Sequence, residues 1–313
     1  MKSTQPLRII FLGTPEFAVP SLEALVEAGF QVVAVVTAPD KPSGRGLQTH
    51  ETPIKSAAIK LGLPILQPEK LKDEAFLDQL RSYKADLQVV VAFRMLPELL
   101  WSMPRLGTIN LHGSLLPQYR GAAPINWAVI NGETSTGLTT FFLKHEIDTG
   151  DLLFTETEPI SEIDTAGTLY HRLMEKGAKL LVKTVAAIQK GDYTQTPQVF
   201  DAELKKAPKL NKETGKLHLD KPAASVRNLV RGLHPHPCAW LLLNGKMCKI
   251  HEVQVSEKPT EQAAPGTFEV LNKKQLFVAC SDFWLEVIQL QPEGKKKMTT
   301  DEFLRGHKIE SIA

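Results

Sequence analysis

Only three cysteines, Cys238, Cys248 and Cys280, occur in 313 residues, and no two of them form a C-x-x-C pair. A disulfide framework or a zinc site needs closer or paired spacing, so three reduced thiols packed as small hydrophobes are expected, with no metal. No apolar run approaches the length needed to cross a bilayer. The longest, around Gln88 to Ala92, is strand-sized. The stretch Met1 to Pro6 is polar and holds no signal-peptide core, so the expected compartment is the cytoplasm, with no membrane partner. No G-x-G-x-x-G follows the first apolar run, which ends in Gly13-Thr14-Pro15. The nearest acidic residue after the second run, Asp40, falls in a loop. That pattern disfavours a nicotinamide dinucleotide.

The length suits two domains rather than one, and the apolar and charged fractions are those of a globular protein. A net charge of +2 hides an asymmetry: residues 1–205 carry −3 and residues 206–313 carry +5. A basic rear suits a polyanionic partner, though solvated lysines also serve solubility.

Short apolar runs alternate with helical patterns through the first half. Strands are predicted at Leu7 to Leu12, Gln31 to Val36, Ile65-Leu66, Asp86 to Ala92 and Gly107 to His112. Helices are predicted at Phe17 to Ala28, Pro53 to Leu61 and Glu74 to Ser82. This alternation implies an α/β, Rossmann-like, mainly parallel sheet. Thr165 to Gln189 reads as one long helix capped by Asp164, with Leu169, Leu173, Leu180, Leu181, Val185 and Ile188 on its apolar stripe. Residues 194–219 are lysine-bearing and poor in large apolar side chains, and read as a linker. This divides the chain into domains at 1–193 and 220–313. In the second, a helix at Ala223 to Leu233 precedes a hairpin signal turning at Asn244-Gly245, and three further strands reach Leu290. Five short strands fit a small antiparallel, OB-like β-barrel.

Chemistry concentrates in two segments. Asn110-Leu111-His112-Gly113 ends a predicted strand, where α/β proteins place ligands, and period-two alternation aims Asn110 and His112 the same way. Asp148 lies in Ile147-Asp148-Thr149-Gly150, after the strand-like Leu138 to Leu143. An amide, an imidazole and a carboxylate at neighbouring strand ends suit acyl transfer to an amine, which needs an oxyanion donor and a proton relay. No Ser or Cys stands where this trio could activate it, favouring direct transfer. Spacing alone leaves the bland reading open, since a lone Asn, His or D-x-G is often a turn former. His234-Pro235-His236-Pro237, with a Pro after each His, reads as a rigid turn rather than a metal site.

The runs HGSLLPQYRGAAPINWAVINGE and IDTGDLL resemble the formyltransferase family that uses 10-formyltetrahydrofolate. Similarity to its tRNA-directed members extends over RIIFLGTPEFAVPSLEAL, APDKPSGRG, MPRLGTINLHGSLLP and LQPEGKKKMTTDEFLRG, nearly the whole chain. The resemblance implies formyl transfer from 10-formyltetrahydrofolate to the amino group of methionyl-initiator tRNA, by a monomer and without metal. It assigns catalysis to Asn110, His112 and Asp148, folate contact to Ser114, Leu115, Leu116 and Pro117, and tRNA contact to Lys41 and Arg45. One departure stands out: Ala92-Phe93-Arg94 occupies the place where family members commonly show A-Y-G.

Overall fold

The computed structural model describes residues 6–43, 48–200 and 203–313. The chain forms two compact units. The first comprises Met1–Arg120, Gly137–Glu158 and Tyr170–Lys205, and the second Gly121–Thr136, Pro159–Leu169 and Lys206–Ala313.

The first unit is built on a seven-stranded sheet. In spatial order its strands are Leu152–Pro159, Ser135–Phe142, Thr108–His112, Leu87–Val91, Arg8–Gly13, Gln31–Val36 and Ile65–Leu66. The last five run parallel to one another, and Ser135–Phe142 is antiparallel to Thr108–His112. Leu87–Val91 is buried at every position, as expected of a parallel strand covered on both faces. The first helix arrives in two pieces, a 3-10 turn at Glu16–Ala18 and an α-helix at Val19–Glu27, with Pro20 in the first turn, where its missing N–H costs nothing. Thr52 and Asp73 cap the helices Pro53–Lys60 and Glu74–Ser82 by accepting from the amides of Lys55 and Phe76, each at 3.1 Å.

The long helix spans Ala166–Lys190, and its leucine stripe is buried. Its cap is Thr165 rather than Asp164: the Thr165 hydroxyl accepts from the Thr168 amide at 3.1 Å. Asp164 instead accepts from the Ser161 amide at 2.8 Å and from the Thr168 hydroxyl at 2.9 Å. Between Thr194 and Leu219 the chain forms an isolated bridge from Thr196 to Leu152, a two-residue strand at Lys206–Ala207 and a 3-10 turn at Glu213–Gly215.

The second unit centres on an antiparallel sheet in the order Ala239–Leu243, Lys246–Pro259, Phe283–Pro292, Gln275–Ala279 and Phe268–Leu271, with Met298–Thr299 also paired to Phe283–Pro292. Asn244 and Gly245 take φ of 51° and 73°, both positive as the tight hairpin turn requires. Val226, Val230 and Leu233 of the helix Ala223–Leu233 join Ile250, Leu285 and Val287 in its core. The helix Pro124–Ile130 packs against that same helix. An ideal Cβ on Gly232 would meet Ile130 Cγ1 at 2.5 Å, and Asn126 Nδ2 donates to the Gly232 carbonyl at 2.8 Å. This explains why residues 121–136 cluster with the rear of the chain rather than with their sequence neighbours. All three cysteines are free and buried. Among the described residues no helix is long and apolar enough to cross a membrane.

Candidate active site

Thr108–His112 is regular along both neighbouring strands, so its side chains alternate without interruption. Leu111 faces the long helix, since a Cβ at Gly177 would come within 2.8 Å of its Cδ2. Asn110 and His112 therefore share the opposite face. His112 is buried, whereas Asn110 is half-buried.

His112 Nε2 lies 2.9 Å from the carbonyl oxygen of Tyr119. A carbonyl only accepts, so Nε2 carries a proton and donates. Nδ1 is then the edge left for chemistry, and it faces Asp148 Oδ2 at 3.9 Å. Both side chains are about nine-tenths buried, which strengthens their electrostatic coupling relative to water. Asp148 adopts φ +56°, and Gly150 presses the turn against the adjoining strand. Histidine and aspartate thus meet although 36 positions separate them in the chain.

Ser114 to Pro117 follow the strand Thr108–His112 as a tightly held segment. The Ser114 hydroxyl donates to the Gln118 carbonyl at 2.6 Å. The Thr139 hydroxyl donates to the Ser114 carbonyl at 2.7 Å and accepts from the Leu116 amide at 3.1 Å. Leu115 packs where any side chain at Gly137 would stand, 2.5 Å from the ideal Cβ. Leu116 is buried and the Leu116–Pro117 peptide is cis.

The variant segment closes on itself. Arg94 donates through both terminal nitrogens to the carbonyls of Pro68 and Glu69, and its guanidinium sits 5.7 Å from the Phe93 ring centre. Arg94, Met95, Leu96, Pro97 and Leu71 line an open cavity of about 700 Å³. Glu98, also on its wall, pairs at 3.3 Å with His145, three residues before Asp148.

Lys41 begins a short strand, Lys41–Ser43, whose backbone pairs with Gln48–His50, Lys41 standing opposite His50. Arg45 lies outside the described residues. Asp40 has its own local role: it pairs with Lys55 and accepts from Gln67 Nε2, and these contacts hold its carboxyl below the usual range. Lys295 to Lys297 are exposed and follow the turn at Glu293-Gly294. His234 stacks edge-on against His251 with ring centres 5.6 Å apart, and no metal-holding cluster of His, Cys, Asp or Glu occurs among the described residues.

Three contributors were not visible beforehand. Tyr119 acts through its main chain and Thr139 from the middle of a strand. Gln198, whose Nε2 donates to the main-chain carbonyls of Asp148 and Gly150, sits in a polar stretch with no periodicity to mark it.

Residues 7–185 match the formyl transferase family, and residues 209–308 match the formyl transferase C-terminal domain. The chain is 51% identical over 310 residues to the methionyl-tRNA formyltransferase of Bacteroides fragilis, covering 96% of this chain and 95% of that one. It is 48% identical over 318 residues to the enzyme of that name from Porphyromonas gingivalis, covering 98% of each. In fold it is similar to the Helicobacter canadensis N-formyltransferase solved with folinic acid and dTDP-3-aminofucose, with a TM-score of 0.66 at 18% identity, covering 91% of this chain and 99% of that one. It is also similar to Aquifex aeolicus HypX in complex with tetrahydrofolic acid, with a TM-score of 0.62 at 18% identity, covering 99% of this chain and 51% of that one. The chain belongs to the formyl transferase family, matching both its main domain and its C-terminal domain.

Proposed function

We propose that this protein transfers the formyl group of 10-formyltetrahydrofolate to the α-amino group of methionine esterified to initiator tRNA, the modification that prepares this tRNA for translation initiation. The observation that carries the reading is the pairing of His112 with Asp148 at 3.9 Å, with Asn110 on the same strand face, in a chain about half identical to methionyl-tRNA formyltransferases over its length.

The amine lone pair attacks the formyl carbon, a C–N bond forms, and the carbonyl electrons move onto oxygen. Asn110 and the Nδ1 edge of His112 hold that oxyanion. With Nε2–H engaged by Tyr119, a proton on Nδ1 makes the ring an imidazolium, whose charge the Asp148 carboxylate balances. Asp148 also receives the proton released from the attacking amine, directly or through water. Collapse breaks the bond to N10 of the folate, and that nitrogen takes up a proton as it leaves. Folate binds against Ser114, Leu115, Leu116 and Pro117. Residues 1–193 carry this chemistry. The basic domain at 220–313 grips tRNA together with Lys41 and Arg45, in keeping with the +5 charge of residues 206–313.

The same chemistry could formylate an amino-sugar nucleotide, but the similar solved structures of that kind are only 18% to 21% identical to this chain and speak to fold alone. The deciding experiment offers labelled 10-formyltetrahydrofolate with methionyl-initiator tRNA, uncharged tRNA or an amino-sugar nucleotide. Label only on the charged tRNA supports the proposal. Label on the sugar nucleotide refutes the acceptor, and label on none refutes the chemistry.

A further inference from the structure

Asp148 stands outside the regular sheet, in a turn where its backbone takes φ +56°. Aspartate adopts this conformation more readily than most residues with a Cβ, yet still at an energetic cost, and here distant contacts hold it. On one side the turn is pressed against the strand Ser135–Phe142: a Cβ on Gly150 would lie 1.5 Å from the Phe142 carbonyl oxygen. From elsewhere in the chain comes Gln198. Its Nε2 donates to the carbonyl of Asp148 at 2.9 Å and to the carbonyl of Gly150 at 2.8 Å. Two acceptors facing one amide require nitrogen, not oxygen, at that position.

The setting of Gln198 is unusual for its neighbourhood. Thr194 to Pro197 and Val199-Phe200 are exposed, yet Gln198 between them is 91% buried. Burying an amide is costly unless it is paired; both of its donors are used on this turn, while its Oε1 is buried without a partner among the described residues. The side chain is also aimed from a fixed base. Two residues earlier, Thr196 exchanges backbone hydrogen bonds of 2.8 and 3.0 Å with Leu152, the residue that opens the strand leaving the turn. Gln198 is thus anchored to the strand that follows the turn while it grips the turn itself.

We infer that Gln198 is a positioning residue for formyl transfer: by clamping the carbonyls of Asp148 and Gly150 it sets the direction and distance of the Asp148 carboxylate relative to His112. The inference rests on the proposed role of Asp148. Gln198 itself forms no bond to substrate and moves no proton. Methionine in its place fills the space and donates nothing. Asparagine is one methylene short and reaches at most one of the two carbonyls.

The test compares full-length Gln198→Met, Gln198→Asn and Asp148→Asn with wild type, measuring kcat and the KM for folate and for methionyl-tRNA, with thermal unfolding recorded for each. Displacing a reacting group by about 1 Å costs on the order of a hundredfold in rate. Gln198→Met is therefore expected to lose roughly ten- to a hundredfold in kcat, with both KM values close to wild type and cooperative unfolding retained. Gln198→Asn, the milder change, should fall between the two and serves if the Met variant does not fold. A loss confined to KM would overturn the inference, because a merely structural or binding role predicts it. Full kcat in either Gln198 variant while Asp148→Asn is inactive overturns the clamp alone. Full activity in Asp148→Asn instead sinks the role of Asp148 on which the clamp depends.

Discussion

Adding a single methyl group at Gly150 should disable the enzyme without touching any side chain that meets substrate. The ideal Cβ lies 1.5 Å from the Phe142 carbonyl oxygen, where real Cβ atoms are essentially never closer than 3.0 Å, so the turn must open by about 1.5 Å. Phe142 cannot give way cheaply. It ends a strand paired with Thr108–His112, its partner there is Ile109, and its own amide donates to the Asp151 carbonyl at 3.1 Å. The turn moves instead, carrying Asp148 from its place 3.9 Å from His112. A misplacement of about 1 Å is worth on the order of a hundredfold in rate, and overpacking of this kind costs about 1–3 kcal/mol of stability. The matched control is Gly191→Ala. Gly191 has φ +68° but nothing within 4 Å of its Cβ position, so only the backbone cost of about 1 kcal/mol applies, far from the chemistry. Both proteins would be assayed for formyl transfer to methionyl-initiator tRNA at saturating substrates. A Gly150→Ala protein with kcat within about twofold of wild type would refute the argument that a fixed turn governs Asp148.

His112→Ala should lose roughly a hundred- to a thousandfold in kcat, the usual effect of deleting an oxyanion donor; full activity would leave the oxyanion to Asn110 alone. His234 and His251 are held below their ordinary 6.5 by burial first, with neighbouring cations, including Lys297, acting the same way. A cationic group with a lowered folded pKa favours the folded state while it is neutral. The urea midpoint should therefore be level above pH 6.5 and fall as pH drops below it, and the double variant His234→Gln, His251→Gln should flatten that slope. Burial pushes the Cys248 and Cys280 thiols up to about 12 and raises Cys238 as well, so a thiol-specific disulfide reagent at pH 8 should label none of them until denaturant is added. Arg45→Ala should weaken tRNA binding at low salt and reduce the slope of log affinity against log salt by roughly 1 for each phosphate the arginine neutralises in the wild type, as filter binding across a salt series would read.

Period and composition sufficed where local chemistry decides structure. Asn244-Gly245 announces its hairpin because few other pairs accept two positive φ values in succession. Asn110 and His112 share a face because a regular strand leaves them no alternative. What escaped the sequence was set by distant contacts. Residues 121–136 have no local mark of joining the rear unit, which they do by packing against Ala223–Leu233. Asp164 is as good a cap on paper as Thr165, and only the path of the preceding turn decides between them. Gln198 looks like one more polar residue in an exposed stretch until the bridge from Thr196 to Leu152 turns it inward.

The hydrogen bond from His112 to the carbonyl of Tyr119 has a bearing on how this enzyme can be altered. The acceptor belongs to the main chain, so every amino acid at position 119 supplies it, provided the backbone keeps its φ of 58°. A saturation library at 119 would therefore sample core packing and conformational preference while leaving the imidazole's partner in place. Lengthening or shortening the segment between Gly113 and Gln118 by one residue removes that partner without changing a single functional side chain. For re-engineering this enzyme, loop length in this segment is the variable to hold constant, and side-chain identity at position 119 the one free to vary.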